Sequence, residues 1–179
     1  MKDAVLRQGV MHVGYSPDGN YTIPDGFACI ASNCFLGRQD IKSITLPSSL
    51  RIIGNGAFSC CENLKEIEFP PSIQVIEGEA FSGNRFTEVG IPGSVRNISY
   101  WSFSGSPTLE KVVLGDGVES IGIQAFAKCP NLSEMRIPAS VHYIAENAFE
   151  SCPHLTIFAP ADSYAANFAR QHDIPTTER

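Results

Sequence analysis

One short phrase recurs six times in this chain, and its spacing leaves little choice of fold. Phe35, Phe58, Phe81, Phe103, Phe126 and Phe149 each close a version of Ile-Gly-x-x-Ala-Phe, at intervals of 23, 23, 22, 23 and 23 residues, with the fullest copies at 53–58 and 121–126. Self-similarity at a fixed period of about 20 to 50 residues marks a stacked repeat, in which each unit buries its apolar face only against its neighbours. The fold class expected is a repeat solenoid, mainly β.

The apolar residues fall into columns. Tyr21, Ile44, Ile67, Val89, Val112 and Met135 form one; Ile23, Leu46, Phe69, Ile91, Leu114 and Ile137 stand two residues further on. Spacing of two places both on one face of a short strand. Pro24, Pro47, Pro70, Pro92 and Pro138 follow, with Gly115 in the fifth rung. Proline lacks the N–H of a ladder, so it ends the strand and turns the chain. The columns of Phe27, Leu50, Ile73, Val95, Val118 and Val141, then Ile30, Ile53, Ile76, Ile98, Ile121 and Ile144, lead round the back. The Ala-Phe phrase is predicted as a helical turn that drops its ring into the core, and Ile41, Leu64, Phe86, Leu109, Leu132 and Leu155 close the rungs. Aligned this way, the residue missing from the 22-residue interval lies in 82–85. A connecting loop tolerates such a deletion, whereas a strand would turn its side chains over.

Residues 1–19 do not match the repeat; Val10, Val13 and Tyr15, followed by Ser16, Pro17, Asp18 and Gly19, read as a short strand and turn that cap the first rung. Six rungs occupy 20–155, and 156–179 form a second cap. In it 164–172 is alanine-rich, with Asp162 or Ser163 as helix N-cap and Pro175 beyond the end.

Composition narrows the function. Hydrophobic residues make up 43% of the 179 and charged residues 18%, which is globular composition. No apolar run approaches the roughly 18 residues of a membrane span, and no secretory leader is read at the start, where Lys2, Asp3 and Arg7 precede no apolar core. A net charge of −6, with no run of three Lys or Arg, disfavours nucleic acid, whose affinity comes from basic groups on phosphates.

The unit Leu/Ile-x-x-Ile-x-Ile/Leu-Pro-x-x-Val-x-x-Ile-Gly-x-x-Ala-Phe-x-x-Cys-x-x-Leu, seen well at 64–70 and 137–152, resembles the BspA-like, or Treponema-type, leucine-rich repeat. The resemblance covers about 20–155. It implies a curved leucine-rich-repeat array with short parallel strands on one surface and a C-terminal capping helix. It also implies a cell-surface or secreted protein of a host-associated microbe, active in adhesion and protein binding, and no shared catalytic residue. Without a leader in this chain, a cytoplasmic location stays open beside the surface one.

The polar residues offer little chemistry. Cys61, Cys129 and Cys152 share a column in which Arg38, Asn84 and Ser106 stand elsewhere. Neighbouring rungs lie about 5 Å apart, so Cys129 and Cys152 could bridge, or could be small buried ladder residues. No Cys-x-x-Cys spacing suggests zinc, and His12, His142, His154 and His172 pair with nothing by spacing. No catalytic residue, metal or cofactor is expected. Asn20, Asn97 and Asn131 begin Asn-x-Ser/Thr sequons, which chance explains.

Two surface features remain. Glu66, Glu68 and Glu88 are expected to cluster on the strand face, either to bind a basic partner or as a solvated face that blocks aggregation. Tyr100 and Trp101, with Ile123 at neighbouring height, stand where other rungs carry small or polar residues. Such aromatics are enriched in binding hot spots. They are expected to bind a protein ligand or a second copy of the chain, or else to cover the shortened loop at Gly83. The leading expectation is a non-catalytic protein-interaction module, an adhesin fragment; the alternative is a structural spacer with no specific ligand.

Overall fold

The computed structural model describes residues 16–178, together with the backbone of β1 (Ala4–Arg7) and β2 (Val10–Val13). These two strands pair antiparallel. Whether 1–19 covers the first rung depends on side chains outside the described residues, as does Tyr15.

From Asn20 on, the chain winds as a solenoid of parallel strands. Its front is built of β3 (Asn20–Thr22), β5 (Ser43–Thr45), β8 (Glu88–Ile91), β10 (Lys111–Leu114), β12 (Glu134–Arg136), β14 (Thr156–Ala159) and β15 (Thr176–Glu178). Its back is built of the two-residue strands β4 (Cys29–Ile30), β6 (Ile52–Ile53), β7 (Val75–Ile76), β9 (Asn97–Ile98), β11 (Ser120–Ile121) and β13 (Tyr143–Ile144). Pairing is in column register: Val112 lies opposite Val89 on one side and Met135 on the other. The front sheet runs on past the sixth rung through β14 and β15, so the second cap contains strand as well as helix.

Both sheets break at the third rung. Residues 66–68, in the column of the front strands, form no ladder, and on the back β7 and β9 belong to separate sheets. The alternating strand predicted there is absent, although Ile67 is buried as expected. The deletion explains the level of the break. Other rungs make a two-residue turn four and five residues after the phenylalanine, as at 62–63 and 107–108; the third rung has none, and the chain enters β8 one residue early.

What crosses the break is the turn edge and the core inside it. Phe81 N donates to Ser102 O at 2.8 Å and Gly83 N to Ser104 O at 2.8 Å, continuing the pattern of Phe35 N to Ala57 O and Phe58 N to Ala80 O, both 2.8 Å. Inside that edge the six rings stack. Centroid separations run 4.8, 5.3, 5.4, 5.5 and 6.1 Å from Phe35 to Phe149, with interplanar angles from 5° to 17°.

The ends of the stack are closed differently. At the first rung, Arg38 forks onto Asp40 through Nε and Nη2, both at 2.7 Å, and Nη2 also donates to the Tyr21 hydroxyl at 2.7 Å. That hydroxyl donates to Asp40 in turn, and accepts from Ser16 N at 2.8 Å. At the other end α1 (Tyr164–Gln171) lays Ala165, Phe168 and Ala169 on the last rung. Ser163 is its N-cap, accepting from Ala166 N at 3.2 Å. Phe168 meets Phe149 edge-on at 6.2 Å and is itself covered by His172, 4.2 Å between centroids.

Replacing Phe103 with Ala removes the ring between Phe81 and Phe126 and is expected to cost about 3–5 kcal/mol, read as a lower urea midpoint. Asp40→Asn is expected to cost about 1–2 kcal/mol at pH 7. The Arg38 hydrogen bonds hold the Asp40 carboxyl well below the usual carboxylate range. A depressed folded pKa contributes stability above the unfolded value, near 3.9, and loses it as pH falls toward the folded one. Thermal melts of wild type and Asp40→Asn should therefore differ at pH 7 and converge as the pH is taken below about 4.

Candidate functional site

The turns that carry the first five phenylalanines have two positions with left-handed backbone, and the turn of Phe149 has one. Two residues before the ring stand Asn33, Gly56, Glu79, Trp101 and Gln124, with φ of 58°, 60°, 57°, 52° and 50°. Two residues after it stand Gly37, Cys60, Gly83, Gly105, Lys128 and Ser151, all with φ between 57° and 71°. Gly and Asn suit this conformation, whereas a bulky side chain makes it an outlier costing roughly 1–2 kcal/mol. Trp101 is the bulkiest residue in either column.

Tyr100 and Trp101 therefore leave the turn on its outer side, 47% and 42% exposed, with Ile123 beside them at 55%. Trp101 N donates to Ile123 O at 3.0 Å, which fixes the two rungs against each other. The rings meet edge to face at 5.9 Å and 78°. Tyr100 does not cover the shortened loop. It lies over Gly78, where an added Cβ would stand 2.2 Å from its Cζ, and its hydroxyl accepts from Asn55 Nδ2 at 3.0 Å, two rungs away. Gly83 packs instead against Cys60, whose Sγ would be 3.1 Å from an added Cβ.

The indole is held by its own nitrogen. Trp101 Nε1 donates to Gln124 Oε1, and Gln124 Nε2 donates to Glu150 Oε2 at 2.5 Å. Beside it a depression of about 190 Å³ is lined by Glu79, Ser82, Trp101, Ser104, Gln124 and Lys128. Glu79, Gln124 and Lys128 were not singled out from the sequence. Their shared signal is a side chain other than Gly or Asn at a left-handed position of the turn.

The carboxylates are placed otherwise. Glu88 is paired with Lys111 Nζ at 2.8 Å, whereas Glu66 and Glu68 are exposed on the unpaired segment of the third rung. The rest of the front is laced: Ser43 Oγ donates to Asn20 Oδ1 at 2.8 Å, and Arg136 pairs with Glu134 at 2.5 Å while its guanidinium lies 5.7 Å from the Phe158 ring centre.

The cysteine column is occupied by donors. Cys61 Sγ reaches Phe35 O at 3.0 Å, Asn84 Nδ2 reaches Phe58 O at 3.0 Å, Cys129 Sγ reaches Phe103 O at 3.5 Å and Cys152 Sγ reaches Phe126 O at 3.1 Å. Burial pushes the Cys61 thiol up to about 11, and the hydrogen bond with Cys152, together with burial, raises that of Cys129. Both are protonated at neutral pH, and it is the thiolate that reacts or binds metal. Cys61, Cys129 and Cys152 are unbridged in this structure, and among the described residues no group of three or more His, Cys, Asp or Glu could hold a metal ion.

The family known as BspA type leucine rich repeat region matches residues 28–156 in six copies, and the chain belongs to that family. A leucine-rich repeat protein from Bacteroides ovatus superposes with a TM-score of 0.73 at 27% identity, over 84% of this chain and 43% of the other. The pneumococcal vaccine antigen PcpA gives 0.78 at 21% identity, over 92% and 43%. A leucine rich cell surface protein from Faecalibacterium prausnitzii gives 0.53 at 21%, over 89% and 59%. This chain thus spans less than half the length of the first two. No curated protein matches. Among the described residues no helix is long and apolar enough to cross a membrane.

Gly78→Ala should displace the Tyr100 ring and cost about 1–3 kcal/mol. In a Tyr100→Ala background the same change is expected to cost little, so a double-mutant cycle of urea midpoints would return a coupling energy. Equal cost in both backgrounds would mean that the ring does not lie over Gly78.

Proposed function

We propose that this chain is a non-catalytic protein-interaction module whose contact surface is the Tyr100, Trp101 and Ile123 patch on the turn edge. The observation that carries the reading is Trp101 itself. A large, half-exposed indole occupies a left-handed position where Gly or Asn would fold at lower cost, and it is fixed there by Gln124 and Glu150. Backbone outliers of this kind gather at functional sites, and aromatic side chains anchor interfaces.

Setting is inferred from kinship. The neighbours include a vaccine antigen and a cell surface protein, which supports a place at the cell surface; a partner in the host or its matrix is the further part of the proposal. A second reading, a spacer without ligand, draws on the front sheet, where Glu88, Lys111, Glu134 and Arg136 satisfy one another. The exposed Glu66 and Glu68 belong to this second reading, as solvated charge that blocks aggregation beside that sheet.

Retention of wild type and a Tyr100→Ala/Trp101→Ala variant on immobilised extracellular-matrix proteins and host-cell surfaces tests this, with light scattering for mass. Loss of retention in a variant with an intact thermal transition is the expected result. A fall in mass instead would assign the patch to a homodimer, and no retention of either protein at unchanged mass would leave the spacer.

A further inference from the structure

Taking the patch as the contact surface, we infer that what it grips is an arginine-bearing, extended basic segment of another protein. Two properties carry this, the size of the apolar surface and the charge around it.

The three side chains are each about half exposed, which amounts to about 300 Å² of apolar surface. A stable interface between folded surfaces, including one between two copies of this chain, buries about 800 Å² on each partner. The patch is too small for that and adequate for a few side chains of one segment.

Charge then selects the segment. The turns around the patch, at 77–83, 99–105, 122–128 and 145–151, contain Glu77, Glu79, Glu146 and Glu150 against the one basic residue Lys128. Glu79 and Trp101 line the same depression, and Glu146 follows Tyr100 and Ile123 in the column of the next rung. Glu150 is bound to Gln124 and Glu77 Oε2 accepts from Asn55 N at 2.8 Å, so both are fixed in place. A guanidinium suits such a site on two counts. Its flat face is attracted to the negative face of an indole, and its N–H groups pair with a carboxylate at the ring's edge. The indole nitrogen is already occupied by Gln124, which leaves the ring to act through its π surface.

Trp101 is the sole tryptophan of the chain, so intrinsic fluorescence reads this site without background. The full chain would be titrated with acetyl-(Gly-Arg)4-amide, and with (Gly-Glu)4 and (Gly-Ser)4 peptides of the same length. A saturable change with the arginine peptide alone, weakening as salt is raised from about 50 to 300 mM, is expected. Glu79→Gln should weaken binding by about 3- to 10-fold and Lys128→Glu should tighten it by a similar factor. Both side chains reach solvent, and an unchanged thermal transition would confirm the fold of each variant. Glu66→Gln/Glu68→Gln, away from the turn edge, should leave affinity unchanged. No response to the arginine peptide, an equal response to the (Gly-Ser)4 peptide, or equal weakening by the Glu66/Glu68 pair would overturn the inference, the last because it would reduce binding to overall acidity. Trp101-dependent retention on matrix proteins together with no response to the arginine peptide would sink this inference alone and leave the interaction module standing.

Discussion

The constraint on which this structure depends is that in-register stacking puts like on top of like. Six phenylalanines in one column can stack ring on ring, which fills the core and is favourable. The same rule buries six copies of every backbone group nearby. The turn ladder uses the N–H of each stacked phenylalanine from Phe35 to Phe126 to bond the next rung, and leaves the phenylalanine carbonyls facing inward. Phe35 O, Phe58 O and Phe149 O accept from the N–H three residues on at 3.1, 3.4 and 3.2 Å, and a carbonyl has a second lone pair that a small donor side chain in that same column can reach. Cys61, Asn84, Cys129 and Cys152 supply it to the rung before, and Ser106 Oγ supplies it to Phe103 of its own rung at 3.0 Å. Cys61, Cys129 and Cys152 are thus explained as hydrogen-bonding residues of that column.

Where stacking has no neighbour to work with, the column changes its chemistry. The first rung has no earlier phenylalanine carbonyl to satisfy, and Arg38 stands in the donor position and turns to Asp40 and Tyr21. The last rung has no further phenylalanine to receive, and Phe168 arrives from a helix at 70° to the stack. In the third rung Asn84 replaces the thiol, and its amide donates to both Phe58 O and Phe81 O, while its Oδ1 is buried with no partner. This is also the rung that lost a residue and its front strand, and after which the back sheet breaks, so the local mismatch is shared among backbone and side chain.

Much of this was legible from period alone. Column identity depends only on counting from the phenylalanine, and burial of Ile30, Ile53, Ile76, Ile98 and Ile121 follows from it. The same count puts the missing residue in 82–85, where the third rung lacks the two-residue turn of the others. The broken ladder at 66–68 was not legible, because its alternation is as good as that of its neighbours and the cause lies some fifteen residues downstream in the loop. Nor was the left-handed column. Asn33 and Gly56 signal it, but Glu79, Trp101 and Gln124 mask it, since their backbone is imposed by the rungs on either side. The destination of Tyr100 was likewise hidden; it depends on Gly78 in space, and counting suggested the nearer gap at Gly83.

A solenoid whose rungs are near copies carries little information in the columns that obey the rule. Any residue that fits the core column stabilises the stack in the same way, and no single rung is distinguished by it. Information lies where a rung departs from the rule at a cost that packing does not return. Gly78 and Tyr100 depart together and compensate each other, because one vacates the space that the other fills. Trp101 departs with no void to fill: its indole lies half in solvent, its backbone is held left-handed, and its nitrogen is tied to Gln124. Stability alone would favour Asn or Gly at that position. The asymmetry between these adjacent residues separates a packing solution from a surface feature: the phenol fills the space that Gly78 leaves, whereas the indole meets solvent.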